Sequence, residues 1–93
     1  MKRKLYIVFK RIGEEVLAVF PFEKWSYYEV ASYQHIGQHG GCHWAVPYEL
    51  KAAAPEEYLD LLNELKGIYN DCTIKVLKKM PSRARVMKVL TNN

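Results

Sequence analysis

Cysteine is scarce in this chain. Cys42 and Cys72 stand thirty residues apart, and no C-x-x-C pair occurs among the 93 residues. That excludes a disulfide-dense scaffold and reads as two reduced thiols. Long apolar runs are missing too: none reaches the ~18–20 residues that span a bilayer, so no membrane role is expected. Met1-Lys2-Arg3-Lys4 opens like an export signal, but Lys10-Arg11 cuts off the apolar run 5–9, so a cytoplasmic location is expected. The chain has no G-x-S-x-G, no P-loop, no G-x-G-x-x-G after a strand and no paired-carboxylate spacing. It therefore lacks the common signatures of hydrolases, NTPases and dinucleotide enzymes. Internal repeats, linkers and low-complexity tracts are absent as well.

What remains is 49% hydrophobic and 26% charged, the balance of an ordinary globular domain. The length allows one domain with a compact core. We assign residues 1–80 to a single α+β domain. Residues 81–93 form a basic extension, either part of that domain or a dimer arm. The net charge of +4 is uneven. Lys2, Arg3, Lys4, Lys10 and Arg11 crowd the start; Lys75, Lys78, Lys79, Arg83, Arg85 and Lys88 crowd the end. Such clusters can neutralise phosphates. They also occur as solvated surface and as edge lysines that discourage aggregation.

Two β-branched and aromatic runs, 5–9 and 16–20, flank a short link containing Gly13 and predict a β-hairpin covered on both faces. Residues 21–28 read as a loop or irregular edge, heavy in aromatics. Residues 29–36 read as a third strand, with Val30, Ser32, Gln34 and Ile36 on one face and Ala31, Tyr33 and His35 on the other. Gly37, Gly40 and Gly41 predict a turn, and residues 42–46 a short fourth strand ending at Pro47. A helix starts at Pro55 behind Ala54, a cap with no side-chain acceptor. Tyr58, Leu61, Leu62 and Leu65 form its apolar stripe, and Gly67 is its expected left-handed cap. Residues 72–77 read as another strand. The tail 82–90 is ambiguous: Ser82 could cap a helix, while Val86, Lys88 and Leu90 alternate as in a strand. The expected fold class is α+β, a small mostly antiparallel sheet in the order β-β-β-(β)-α-β with one helix on one face. The tail or a second copy, giving a homodimer, must cover the other face.

All three histidines fall within nine positions, with Cys42 among them. A zinc site would draw on His35, His39, Cys42 and His43, but H-x3-H-x2-C-H matches no standard finger. The glycines argue against a helix that would align these residues; in a hairpin, His35 and His43 could meet instead. The plainer reading packs His35 on a sheet face and leaves His39 and His43 as turn polars. No cofactor is assigned. Cys42 beside His43 has the residue types of a nucleophile and its base, yet neighbours in a strand point apart, and Glu29 and Glu49 are the closest carboxylates in sequence. Eight of the twelve aromatics lie between Phe20 and Tyr48. Tyr27, Tyr28 and Tyr33 could stack on bases, although cations are not interleaved with them. They suit equally the second sheet face or a protein interface.

The segment Ser32-Tyr33-Gln34-His35-Ile36-Gly37-Gln38-His39-Gly40 resembles the S-Y-x-H-[IV]-G-Q-H-G stretch of a family of small bacterial proteins, often carried by phages, plasmids and conjugative elements. Ala53-Ala54-Pro55-Glu56-Glu57-Tyr58 resembles their helix opening, with Ala54 standing where Thr is expected. The closing strand near Ile74 to Lys78 is similar too. The likeness spans roughly residues 5 to 79 and implies a mobile-element accessory protein without an established activity. The sequence reading therefore favours a non-enzymatic module with a protein partner, binding through Tyr33, His35, Gln38, His39 and Trp44 together with Tyr27 and Tyr28. A metal-dependent or histidine-based enzyme acting on a phosphate-containing substrate is the first alternative. A nucleic-acid-binding module using the basic termini is the second.

Overall fold

The computed structural model describes residues 2–35 and 37–92. Strands β1 (Arg3–Ile12) and β2 (Glu15–Ser26) form the expected hairpin, turning at Gly13 with φ +63°. Strand β3 (Glu29–Gln34) pairs with β2, and β4 (Gln38–His43) pairs with β3. A 3-10 turn (Val46–Tyr48), a two-residue strand β5 (Lys51–Ala52) and helix α1 (Pro55–Ile68) follow. Strand β6 (Cys72–Leu77) and helix α2 (Arg83–Thr91) complete the chain. The sheet runs β4-β3-β2-β1, and β5 and β6 share the outer edge of β1. β6 lies parallel to β1, from Arg3 opposite Cys72 to Val8 opposite Leu77, whereas every other pairing is antiparallel. The class is α+β.

Alternation along the strands sorts the core into two layers. Leu5, Ile7, Phe9, Ala18, Phe20 and Tyr33 face α1 and bury Leu61 and Leu65; Phe9 stacks on Tyr58 at 4.2 Å. Leu17, Val19, Val30 and Cys42 face the other way and bury Val86 and Leu90 of α2. One helix covers each face, where one helix in all was expected. Between the tail and a second chain as cover for the second face, the structure places α2 there.

Several boundaries differ from the expectation. Of the two readings of residues 21–28, the structure gives irregular strand rather than loop as far as Ser26: β2 runs on through Pro21, with register shifts between Phe20 and Lys24 and between Lys24 and Ser26 that accommodate the proline. The third strand ends at Gln34, and its expected last residue, Ile36, lies outside the described residues. Only Gly37 makes the left-handed turn, at φ +74°. Gly40 and Gly41 sit inside β4, so the fourth strand is 38–43 rather than 42–46. Trp25 and Glu29 explain Gly41: a Cβ there would collide with the Trp25 ring and the Glu29 carboxylate. Gly67 does not cap α1, which continues to Ile68 because Tyr69 closes it. The Tyr69 N–H donates to the Leu65 carbonyl at 2.8 Å, and its ring packs edge-on against Phe20 at 5.9 Å. The tail is helical. Val86 and Leu90 are four apart, a spacing that suits a strand face and a helix face alike. The Ser82 side chain tips the choice by accepting the Arg85 N–H at 3.3 Å.

Candidate functional site

The residues expected to form one surface fall into two groups at opposite ends of the β3–β4 hairpin. At its turn, Tyr33 is 1% exposed and is a buried post rather than a contact residue. Its hydroxyl donates to the Glu64 carboxylate of α1 and accepts the Gly37 N–H at 2.8 Å. Glu64 also holds His35, Oε1 to Nδ1 at 2.6 Å. The bond to Glu64, and then burial, push the Tyr33 hydroxyl above the ordinary tyrosine range. His39 lies opposite Tyr33 in register; its ring meets Tyr33 edge-on at 4.6 Å, and its Nε2 is 2.7 Å from the Tyr69 hydroxyl. Gln38 is exposed and, by alternation, on the other face.

This arrangement separates the candidate metal ligands. His35 is tied to Glu64 and His39 to Tyr69, while Cys42 is buried in the α2 layer. His43 pairs with Glu29 across the hairpin, so it does not meet His35 at the turn. Its Nδ1 accepts the Ala45 N–H at 3.2 Å. Among the described residues, no three His, Cys, Asp or Glu converge on a metal position. Cys42 and His43 point to opposite faces, and burial raises the Cys42 thiol, which leaves it a poor nucleophile. The groove beside His35 is lined by Glu14, Glu15, Glu57 and Asp60, charges that repel a phosphate.

The open end of the hairpin is different. Trp25, Tyr27 and Tyr28 are 52%, 86% and 57% exposed. Tyr28 lies against His43, which stacks on Trp44; Trp44 in turn meets the Tyr48 ring edge-on at 6.4 Å. The first turn of α2 then brings cations onto these rings. The Arg83 guanidinium lies 4.5 Å from the Tyr48 centroid and 5.6 Å from that of Trp44. Arg85 lies 5.0 Å over Phe22, whose ring meets Tyr6 edge-on at 5.5 Å. Lys24 sits 5.5 Å from the Tyr27 ring. The expected separation of cations from aromatics is therefore a feature of the chain order, not of the surface.

The groove at the turn is acidic, lined by Glu14, Glu15, Glu57 and Asp60. The open end instead gathers Lys24, Arg83 and Arg85 on its rings, with Glu29 there held by the Ser26 hydroxyl at 2.8 Å. Sequence reasoning missed Glu64 as a site residue and named Arg83 and Arg85 only within the basic end cluster of the nucleic-acid alternative. Glu64 follows Leu61 by three on the helix, which puts it on the flank of the buried stripe; that spacing was the available signal. The chain matches no protein-family model, no curated protein and no solved structure.

Proposed function

We propose that the protein is a non-enzymatic binding module that holds a nucleic acid against the α2 side of its sheet. The observation that carries this reading is the seating of Arg83 and Arg85 on the aromatic rings of the middle segment. Arginine supplies phosphate contacts and a planar cation, and the rings beside it supply stacking surfaces. A cytoplasmic accessory role in a mobile element, suggested by the likeness around Gly37, accords with such a ligand. The acidic groove at His35 and the buried Cys42 thiol support it over phosphate-directed catalysis. A protein partner is the second reading, favoured by the exposure of Trp25, Tyr27 and Tyr28, residue types enriched at protein interfaces.

Fluorescence anisotropy with a labelled oligonucleotide at increasing salt tests the proposal. Binding should weaken steeply with salt, and Arg83→Ala/Arg85→Ala should lower affinity at least about tenfold while circular dichroism stays native. Absence of binding at low salt, or an unchanged affinity in the folded double variant, sinks the nucleic-acid reading and leaves the protein partner.

A further inference from the structure

We infer that the ligand is single-stranded, with its bases stacked on a platform built from Tyr6, Phe22 and Arg85 and its phosphates held by Lys4 and Lys75. This rests on the nucleic-acid reading above and narrows it to one kind of ligand and one half of the sheet.

The placement follows from strand alternation and register. Leu5, Ile7 and Phe9 point to α1, so Lys4, Tyr6 and Val8 point to the opposite face. β6 pairs with β1 in parallel, Thr73 beside Lys4 and Lys75 beside Tyr6; because Ile74 packs toward α1, Lys75 joins Tyr6 on the α2 face. Helix α2 covers only part of that face. Val86 and Leu90 pack on residues of β2, β3 and β4, which leaves Tyr6 and Phe22 half-buried and Lys4 and Lys75 exposed. The open half therefore presents a tyrosine ring and a phenylalanine ring on neighbouring strands, with an arginine over the phenylalanine and two lysines on the tyrosine side. Glu23, next to Phe22 in β2, is paired with Arg3 and so offsets little of this charge.

Such a surface discriminates by strandedness. Rings and guanidinium planes gain stacking energy only from bases whose faces are free, and a duplex keeps those faces covered. Duplex recognition usually needs a helix or ribbon that enters a groove. Here α2 lies flat, its apolar side on the sheet and its two first-turn arginines laid over rings. With Arg85 committed to the platform, Lys4, Lys75 and Arg83 are the phosphate-capable cations, which implies a salt slope of about −2 for a single strand.

The test is a titration of the full chain with a labelled mixed-sequence strand of about 12 nucleotides and with the same strand annealed to its complement. The single strand should bind at least about tenfold tighter than the duplex. Tyr6→Leu should lower single-strand affinity about tenfold with the salt slope unchanged, because it removes stacking and no charge. Lys75→Gln, at an exposed position that the fold does not need, should flatten the slope by about 0.7. Equal affinity for strand and duplex overturns the inference while leaving the nucleic-acid reading in place. An unchanged affinity in folded Tyr6→Leu does the same, as does an unchanged slope in Lys75→Gln should Tyr6→Leu fail to fold. No binding to either probe at low salt overturns both.

Discussion

Tyr33 joins three parts of the molecule through one oxygen: strand β3, the turn at Gly37 and the Glu64 carboxylate of α1. Tyr33→Phe leaves the Gly37 N–H without this acceptor and Glu64 without this donor. The substitution should cost about 1–2 kcal/mol in chemical denaturation. The same residue gives stability an alkaline limit. The Glu64 bond and burial raise the Tyr33 hydroxyl; burial raises those of Tyr48 and Tyr69. In the unfolded chain each ionises near its ordinary pKa of about 10, while in the fold it keeps its proton to higher pH. Their contribution is therefore complete below about pH 10 and is lost as pH rises through the folded values. Buried Lys10, with its amine lowered, works in the opposite sense. Denaturation midpoints should fall above pH 10 and fall less steeply in Tyr33→Phe; identical slopes in the two proteins would refute the assignment.

Helix α1 shows what could be read from local sequence. Pro55 at the first position, Glu56-Glu57 in the first turn and the stripe through Leu61 and Leu65 place it without reference to the rest of the chain. Its cap is half built: the Glu57 carboxylate accepts the Ala54 N–H at 2.8 Å, but Ala54 has no side-chain oxygen to return the bond. Ala54→Ser should complete the pair and stabilise the protein by about 1 kcal/mol, read as a raised melting temperature. The hairpin and β6 were equally legible, because they depend on alternation and turn residues. The misread features depend on distant partners. Gly67 failed as a stop because Tyr69 finds Phe20, and β2 passed through Pro21 because a bulge absorbs it. The tail's pattern fits two periods until a sheet face is there to receive it. The candidate site was legible in its aromatic half only; no spacing rule carries Arg83 to Tyr48 or Glu64 to His35.

At the level of the whole molecule, the two buried layers depend on each other through the sheet they share. Helix α2 has nine residues, too short to hold its shape alone, so its order comes from docking. Leu90, 2% exposed, is the anchor in its last turn. Leu90→Ala should cost about 2–5 kcal/mol and expose the apolar face of Leu17, Val19 and Val30. Denaturation and sedimentation together measure it: an unchanged midpoint would mean that α2 is not seated, while a lowered one accompanied by self-association is the expected result. The arginine-bearing turn rides on the same helix, so loosening Leu90 should weaken oligonucleotide binding without touching a contact residue.

The parallel pairing of β1 with β6 sets a timetable for synthesis. Arg3 cannot find Cys72, nor Val8 find Leu77, until all the segments between them have left the ribosome. The β1–β2–β3–β4 meander can close early because its contacts are local, but its outer edge and its second face stay open until β6 and α2 have emerged. Helix α2 emerges after all six strands, and its arrival both seals the apolar face and assembles the arginine–aromatic surface. A nascent chain gains its proposed binding surface only once α2 has docked, which keeps chains that still lack it from competing for the ligand.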